Sequence, residues 1–224
     1  MFRPMLFVHW KQIRWGLLPF VVAAFALPLL SVQGLGAMGS TREAYRAMAA
    51  AEVWLPLFPV LAAAVGVTLA LSAWNWDHQL KHVYALSLPL ARWEYVLLKM
   101  GAGAALALVP TVAFWLGAHF AASSVSLPVG LHVYPNQLAM RFLLAVLVSY
   151  AALFAAGAGT VRTTVVVVTG LFALLILAGL LGDVALGIFP ALAHWDPSGW
   201  ILTHMVEKPG PFSVFTGNWS LIDV

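Results

Sequence analysis

Charged and histidine side chains are concentrated in one short stretch of a chain in which only 8% of residues are charged. Long apolar segments lie on both sides of this stretch. Because a charged side chain at the centre of a bilayer costs about 3 kcal/mol, we expect the cluster to lie at a membrane face, against lipid headgroups or a soluble partner. An ordinary solvated loop is the alternative interpretation. The cluster consists of Asp77, His78, Lys81, His82, Arg92, Glu94 and Lys99.

The histidines of this stretch have the spacing of a metal site but not its complete motif. His78 and His82 are four residues apart, which places them on one face of a helix. Gln79 stands where the H-E-x-x-H motif needs its glutamate, so the general base of a zinc protease is missing. Haem binding needs His residues on facing helices, and only His119 lies near the inside of an apolar segment. We therefore expect no metal or cofactor in this chain.

Two further motif searches argue against nucleotide chemistry. Residues 34–39 read G-L-G-A-M-G and fit G-x-G-x-x-G, but no βαβ unit surrounds them. The chain contains no G-x-x-x-x-G-K-[ST], so it lacks the P-loop route to ATP hydrolysis. No nucleophile stands beside a base within the apolar segments. A net charge of +3 is too small to favour nucleic acid as a partner. These observations predict a protein that is not an enzyme.

The composition is typical of an integral membrane protein. Hydrophobic residues make up 62% of the chain, 10 of its 224 residues are Trp, and the mean hydropathy is +0.94. No soluble core absorbs this much apolar surface, whereas a bilayer solvates it directly. The absence of cysteine excludes disulfides and Cys-ligated metals.

Five apolar segments are long enough to span a bilayer, which takes about 20 helical residues. They predict an all-α integral membrane fold in which residues 1–224 form a single transmembrane domain. The first segment contains Pro19 and Pro28, which predict a tilted or kinked helix. The predicted spans are Gly16 to Val32, Val53 to Trp76, Val96 to Phe120, Leu138 to Gly159 and Thr164 to Leu181.

Residues 1–15 predict a helix that lies in the membrane interface ahead of the first span. At about 100° per residue, its three cations fall on one side, which suits contact with lipid headgroups. The opposite side would rest on acyl chains through Phe2, Leu6, Trp10 and Ile13. The predicted anchor residues are Arg3, Trp10, Lys11 and Arg14.

The distribution of Lys and Arg predicts that the N-terminus is cytoplasmic. With that orientation, seven cations lie inside: Arg3, Lys11, Arg14, Lys81, Arg92, Lys99 and Arg162. Four lie outside: Arg42, Arg46, Arg141 and Lys208. Because cytoplasmic loops carry the excess of positive charge, the cluster at residues 77–99 is expected on the cytoplasmic side, and the loop at residues 121–137 on the external side.

The same stretch resembles a known family of membrane proteins. A basic helix precedes the first span, Asp77 follows the second, and L-S-L-P-L-A-R at residues 86–92 leads through Tyr95 to Lys99 at the start of the third. This arrangement is similar to that of the membrane subunit of a type-2 ABC transporter, the exporter class. By resemblance, residues 77–95 form a cytoplasmic coupling segment that docks on a separate ATPase subunit. The residues implied to bind that partner are Asp77, His78, Lys81, Leu88, Pro89, Arg92, Glu94 and Lys99.

The resemblance also implies an architecture and a set of partners. It implies a multi-pass permease of the inner (cytoplasmic) membrane that pairs with a second copy or a homologue, contacts lipid, and moves an amphipathic or hydrophobic substrate. ATP and Mg²⁺ would bind in the partner ATPase. Members of the family have six spans, so a sixth is expected after Val224, and residues 182–224 are expected to form an external re-entrant and loop segment. The alternative class is a membrane anchor or scaffold subunit without transport activity, such as a haem-binding one.

Overall fold

The computed structural model describes residues 2–33, 54–79, 91–125 and 131–159, and a C-terminal set made up of residues 162, 163, 165, 166, 169, 170, 204, 206, 207 and 210–223. Its helices are α1 (Phe2–Ser31), α2 (Leu57–Gln79), α3 (Arg92–Leu106), α4 (Leu108–Ser123), α5 (Pro135–Gly157) and α6 (Ser213–Thr216). Its strands are β1 (His132–Val133) and β2 (Ile222–Asp223). The chain divides into two compact units, one of Met1–Phe154 with Asn218–Val224 and one of Ala155–Gly217. Apart from the hydrogen bond from Ala158 N–H to Ala155 O, the contacts described below lie within the first unit.

Four stretches of the described residues are long and apolar enough to cross a membrane: Phe2–Ser31, Leu57–Asn75, Arg92–Ser123 and Pro135–Gly157. They coincide with the first four predicted spans, which confirms a mainly helical, multi-pass membrane protein. Large apolar side chains such as Trp15 and Leu71 are exposed on the helix surfaces, as lipid-facing residues are. Most of the predicted fifth span and most of the predicted external segment at residues 182–224 lie outside the described residues.

The predicted anchor and first span are consecutive parts of one helix, α1, which is uninterrupted from Phe2 to Ser31. Pro19 and Pro28 lie within it without ending it. The buried side of α1 includes His9, Ile13 and Leu17, which are spaced by four residues and so share one face. The expectation that Ile13 faces acyl chains is therefore wrong, because its side chain is only 3% exposed and packs inside the protein.

The third predicted span is divided into α3 and α4 at Ala107. Pro110 accounts for this break, because proline has no N–H for the carbonyl of residue 106 and its ring crowds that carbonyl. The chain still continues with helical hydrogen bonds, from Ala107 N–H to Gly103 O at 3.1 Å and from Thr111 N–H to Ala107 O at 3.3 Å. The two helices therefore cross the membrane as one slightly interrupted segment.

Aromatic rings and small residues hold the spans together. Phe114 of α4 stacks on Phe142 of α5 with ring centroids 4.2 Å apart, and Phe58 of α2 meets Phe114 edge to face at 5.6 Å. Gly117 of α4 lies against the backbone carbonyl of Phe25 in α1. The carbonyl oxygen occupies the space that a Cβ atom at residue 117 would need. Close approach through small residues is how membrane helices gain contact without a hydrophobic driving force between them.

A short antiparallel ribbon adds two strands to the predicted all-α fold. His132 pairs with Asp223 and Val133 with Ile222, and Tyr134 N–H bonds to Leu221 O at 3.0 Å. The ribbon brings residues 218–223 to the start of α5, where Arg141 donates a hydrogen bond to Asn218 O. Strands of two residues carry too little alternation to be recognised in a sequence.

Candidate functional site

A buried ion pair joins α2 to α3. Lys99 Nζ lies 2.5 Å from Asp77 Oδ2, and both side chains are 4% exposed. Asp77 is in the last turn of α2, and Lys99 lies two turns into α3. The pair therefore bridges the two helices that flank residues 80–90.

Tyr95 completes the coordination of the carboxylate. Its hydroxyl lies 3.0 Å from both Oδ1 and Oδ2 of Asp77. Lys99 Nζ also lies 3.3 Å from Tyr95 Oη. Tyr95 and Lys99 are four residues apart and so share one face of α3. Two neighbouring turns of α3 thus hold one carboxylate of α2.

Trp74 lies on the same face of α2 as Asp77, one turn earlier, and faces the ammonium group. Lys99 Nζ is 4.4 Å from the centroid of the Trp74 ring, within the range of a cation–π interaction. Trp74 Nε1 donates a hydrogen bond to Phe154 O of α5 at 2.9 Å, and the two rings are 4.9 Å apart. Lys99 therefore has a carboxylate, a hydroxyl and an aromatic face around its charge.

Two further side chains bring α1 and α5 to the cluster. His9 of α1 is 7% exposed and interacts electrostatically with both Lys99 and Asp77. Tyr150 of α5 donates a hydrogen bond to Met100 O at 3.1 Å. The ion pair is thus surrounded by α1, α2, α3 and α5.

The structure separates the predicted partner-binding residues into two groups. Asp77 and Lys99 are buried and bind each other, whereas Arg92 is exposed at the first residue of α3 and Glu94 is half-buried in its first turn. His78 belongs to the last turn of α2. Lys81, Leu88 and Pro89 lie outside the described residues.

The predicted anchor residues all lie on exposed positions of α1: Arg3, Trp10, Lys11 and Arg14. The Arg14 guanidinium lies 5.5 Å from the ring centroid of Trp15. The exposed cations and the buried His9, Ile13 and Leu17 share the first half of α1. This half of the helix therefore offers basic side chains to its surroundings while its other side packs on the bundle.

Sequence analysis missed Trp74, His9 and Tyr150 as members of the site. Trp74 precedes Asp77 by three residues, and this helical spacing was the available signal for it. Nothing in the sequence indicates that His9 or Tyr150 lies near the ion pair, because their helices meet the cluster only through tertiary packing. Among the described residues, no group of three or more His, Cys, Asp or Glu side chains could hold a metal ion.

The cluster is suited to a mechanical role. An anion near the C-terminal end of a helix is disfavoured by the helix dipole, and the contacts of Asp77 with Lys99 and Tyr95 offset this effect. Removing one partner of a buried ion pair costs about 3–5 kcal/mol, because the other charge stays buried without compensation. Loss of either charge would therefore weaken the attachment of the end of α2 to the first half of α3.

Comparisons of this chain with protein-family models, with curated proteins and with solved structures find no match.

Proposed function

We propose that this chain is the membrane subunit of an ATP-driven exporter of the type-2 ABC class. It would work as a dimer, bind an ATPase subunit on its cytoplasmic face, and move an amphipathic or hydrophobic substrate. ATP and Mg²⁺ would be bound by the partner, and this chain would carry out no hydrolysis. The proposal rests on the resemblance at residues 77–99 and on the Asp77–Lys99 ion pair.

The ion pair is the observation that carries the proposal. A segment that docks on an ATPase can move two spans only if both spans are attached to it. Residues 80–90 follow α2 and precede α3, and Asp77 and Lys99 hold these helices together with a contact of 2.5 Å between buried charges. A push on the segment would then tilt α2 and α3 as one body, which is a rigid-body switch between two arrangements.

Arg92 is the residue we assign to partner contact. It is exposed at the first residue of α3, next to residues 80–90. A guanidinium group forms bidentate, charge-assisted hydrogen bonds with carboxylates, which a lysine does not reproduce. We propose that it binds an acidic or carbonyl-lined cleft of the ATPase.

Co-purification tests the proposed function. The tagged chain is extracted from its native membrane in mild detergent, and the proteins bound to it are identified and assayed for ATP hydrolysis. We expect an ATPase subunit that contains a P-loop, and ATP-dependent movement of an amphipathic dye by vesicles that contain both chains. A partner variant in which the P-loop lysine is replaced is the control. An isolated chain with no ATPase partner, or one with a haem absorption band, would overturn the proposal.

A further inference from the structure

Trp74 connects the ion pair to a third span. Its ring lies against the ammonium group of Lys99, and its indole N–H bonds to the carbonyl of Phe154 in α5. Trp74 is 4% exposed and Phe154 is 3% exposed, so water does not compete for this hydrogen bond. One side chain of α2 thus contacts both the charge on α3 and the backbone of α5.

The carbonyl of Phe154, which accepts from Trp74, needs a hydrogen-bond donor from outside its own helix. α5 ends at Gly157, so Phe154 is among the last four residues, whose carbonyls run out of helical N–H partners. The N–H of Ala158 would be the next helical donor for Phe154 O, but it bonds to Ala155 O at 3.3 Å. The indole N–H of Trp74 supplies the missing donor. The contact therefore fixes the end of α5 by a hydrogen bond that α5 cannot make by itself.

We propose that Trp74 is a positioning residue that transmits movement of the Asp77–Lys99 pair to α5. This inference rests on the proposed exporter function, and it extends the moving body from two spans to three. When α2 and α3 tilt, Trp74 moves with them, because it belongs to α2 and its ring lies on Lys99. The hydrogen bond to Phe154 O then draws the same end of α5 along.

Trp74→Phe isolates this role. Phenylalanine keeps an aromatic face towards Lys99 and a ring near Phe154, but it has no N–H to donate. Trp115→Phe is the matched control, because Trp115 Nε1 also donates one hydrogen bond, to Asn136 Oδ1 at 2.8 Å, away from the ion pair. If Trp74→Phe does not fold, 3-benzothienylalanine at position 74 removes the same donor and keeps the shape of the bicyclic ring.

The first measurement is the amount of dye moved per ATP hydrolysed in vesicles that contain the ATPase partner. We expect Trp74→Phe to bind the partner and to hydrolyse ATP as the wild type does. Transport per ATP should fall about fivefold or more, the lower end of the range for coupling between distant sites. Trp115→Phe should match the wild type. Loss of hydrolysis and transport in equal proportion would indicate a general structural defect and overturn the inference.

The second measurement does not depend on an ATPase. Spin labels are attached to cysteines that replace Leu97 of α3 and Ala152 of α5, both exposed in a chain without native cysteine. The distribution of distances between them should broaden in Trp74→Phe and stay narrow in Trp115→Phe. An unchanged distribution with normal transport would overturn the inference and leave the exporter function standing. If the wild-type chain binds no ATPase, the exporter function fails, and the distance distribution alone decides whether Trp74 holds α5.

Discussion

The hydroxyl of Tyr95 lies 3.0 Å from both carboxylate oxygens of Asp77. A hydroxyl has one proton and donates to one oxygen at a time, so the two oxygens share this donor. Lys99 Nζ contacts Oδ2 in addition. The carboxylate is therefore held from one side of α3 by two side chains, and its orientation is set by both of them.

Removing either charge of the pair should destabilise the protein strongly. We expect Asp77→Asn and Lys99→Met each to lower the free energy of unfolding by about 3–5 kcal/mol, because each leaves the other charge buried without its partner. The double variant Asp77→Asn/Lys99→Met should recover most of this loss, since no unpaired charge remains and the amide oxygen still accepts from Tyr95. Unfolding of the four purified proteins in one detergent measures the effect. Two single variants as stable as the wild type would show that the pair does not hold α2 to α3.

Arg92 should act on partner binding and leave stability unchanged. Because it is exposed, Arg92→Ala should alter the free energy of unfolding by less than about 0.5 kcal/mol. Losing one partner of a charge pair buried at an interface costs about 2–5 kcal/mol of binding, so co-purification of the ATPase should fall steeply. Arg42→Ala, on the predicted outer face, is the control. Equal recovery of the ATPase with both variants would exclude Arg92 from the interface.

The predicted orientation can be tested by thiol labelling, because the chain has no cysteine of its own. Gln79 ends α2, and Ser124 follows α4. We expect Ser124→Cys to react with an impermeant reagent in intact cells, and Gln79→Cys to react only after the membrane is opened. The unsubstituted chain gives the background. The reverse pattern would place the N-terminus and the Asp77–Lys99 pair on the external side.

A side chain at Gly103 should destabilise the packing of α3 against α5. A Cβ atom at this position of α3 would overlap the ring and hydroxyl of Tyr150 in α5. We expect Gly103→Ala to lower the free energy of unfolding by about 1–3 kcal/mol, as overpacking of a core does. Gly16→Ala is the matched control, because nothing lies within 4 Å of its added Cβ and alanine favours a helix. If both variants are equally stable, α3 and α5 do not approach each other through Gly103.

The sequence predicted the apolar framework well, because hydrophobic length alone identifies a span. It also identified Asp77 and Lys99 as residues of interest, but it treated them as groups at a membrane face. Two opposite charges near the ends of consecutive apolar helices can instead pair and be buried. Which of the two happens depends on where the side chains point. The available clue was that Trp74 shares a helix face with Asp77, and Tyr95 shares one with Lys99.

Other features could not be derived from local pattern. The break at Ala107 depends on Pro110, which lies inside an apolar predicted span. His9 lies on a helix whose cations suggested an interfacial role, yet its own face packs inwards beside the ion pair. Contacts between distant parts of the chain, such as Val133 with Ile222, have no signature in a window of neighbouring residues.

The pairing of β1 with β2 also sets an order for assembly in the membrane. A chain leaves the ribosome from its N-terminal end, so α5 and its preceding strand are synthesised long before residues 222 and 223. Until those residues emerge, the backbone groups of His132 and Val133 lack their ribbon partners, and Arg141 lacks the carbonyl of Asn218. The start of α5 is therefore completed late in biosynthesis, after the four helices that surround the ion pair have all been made.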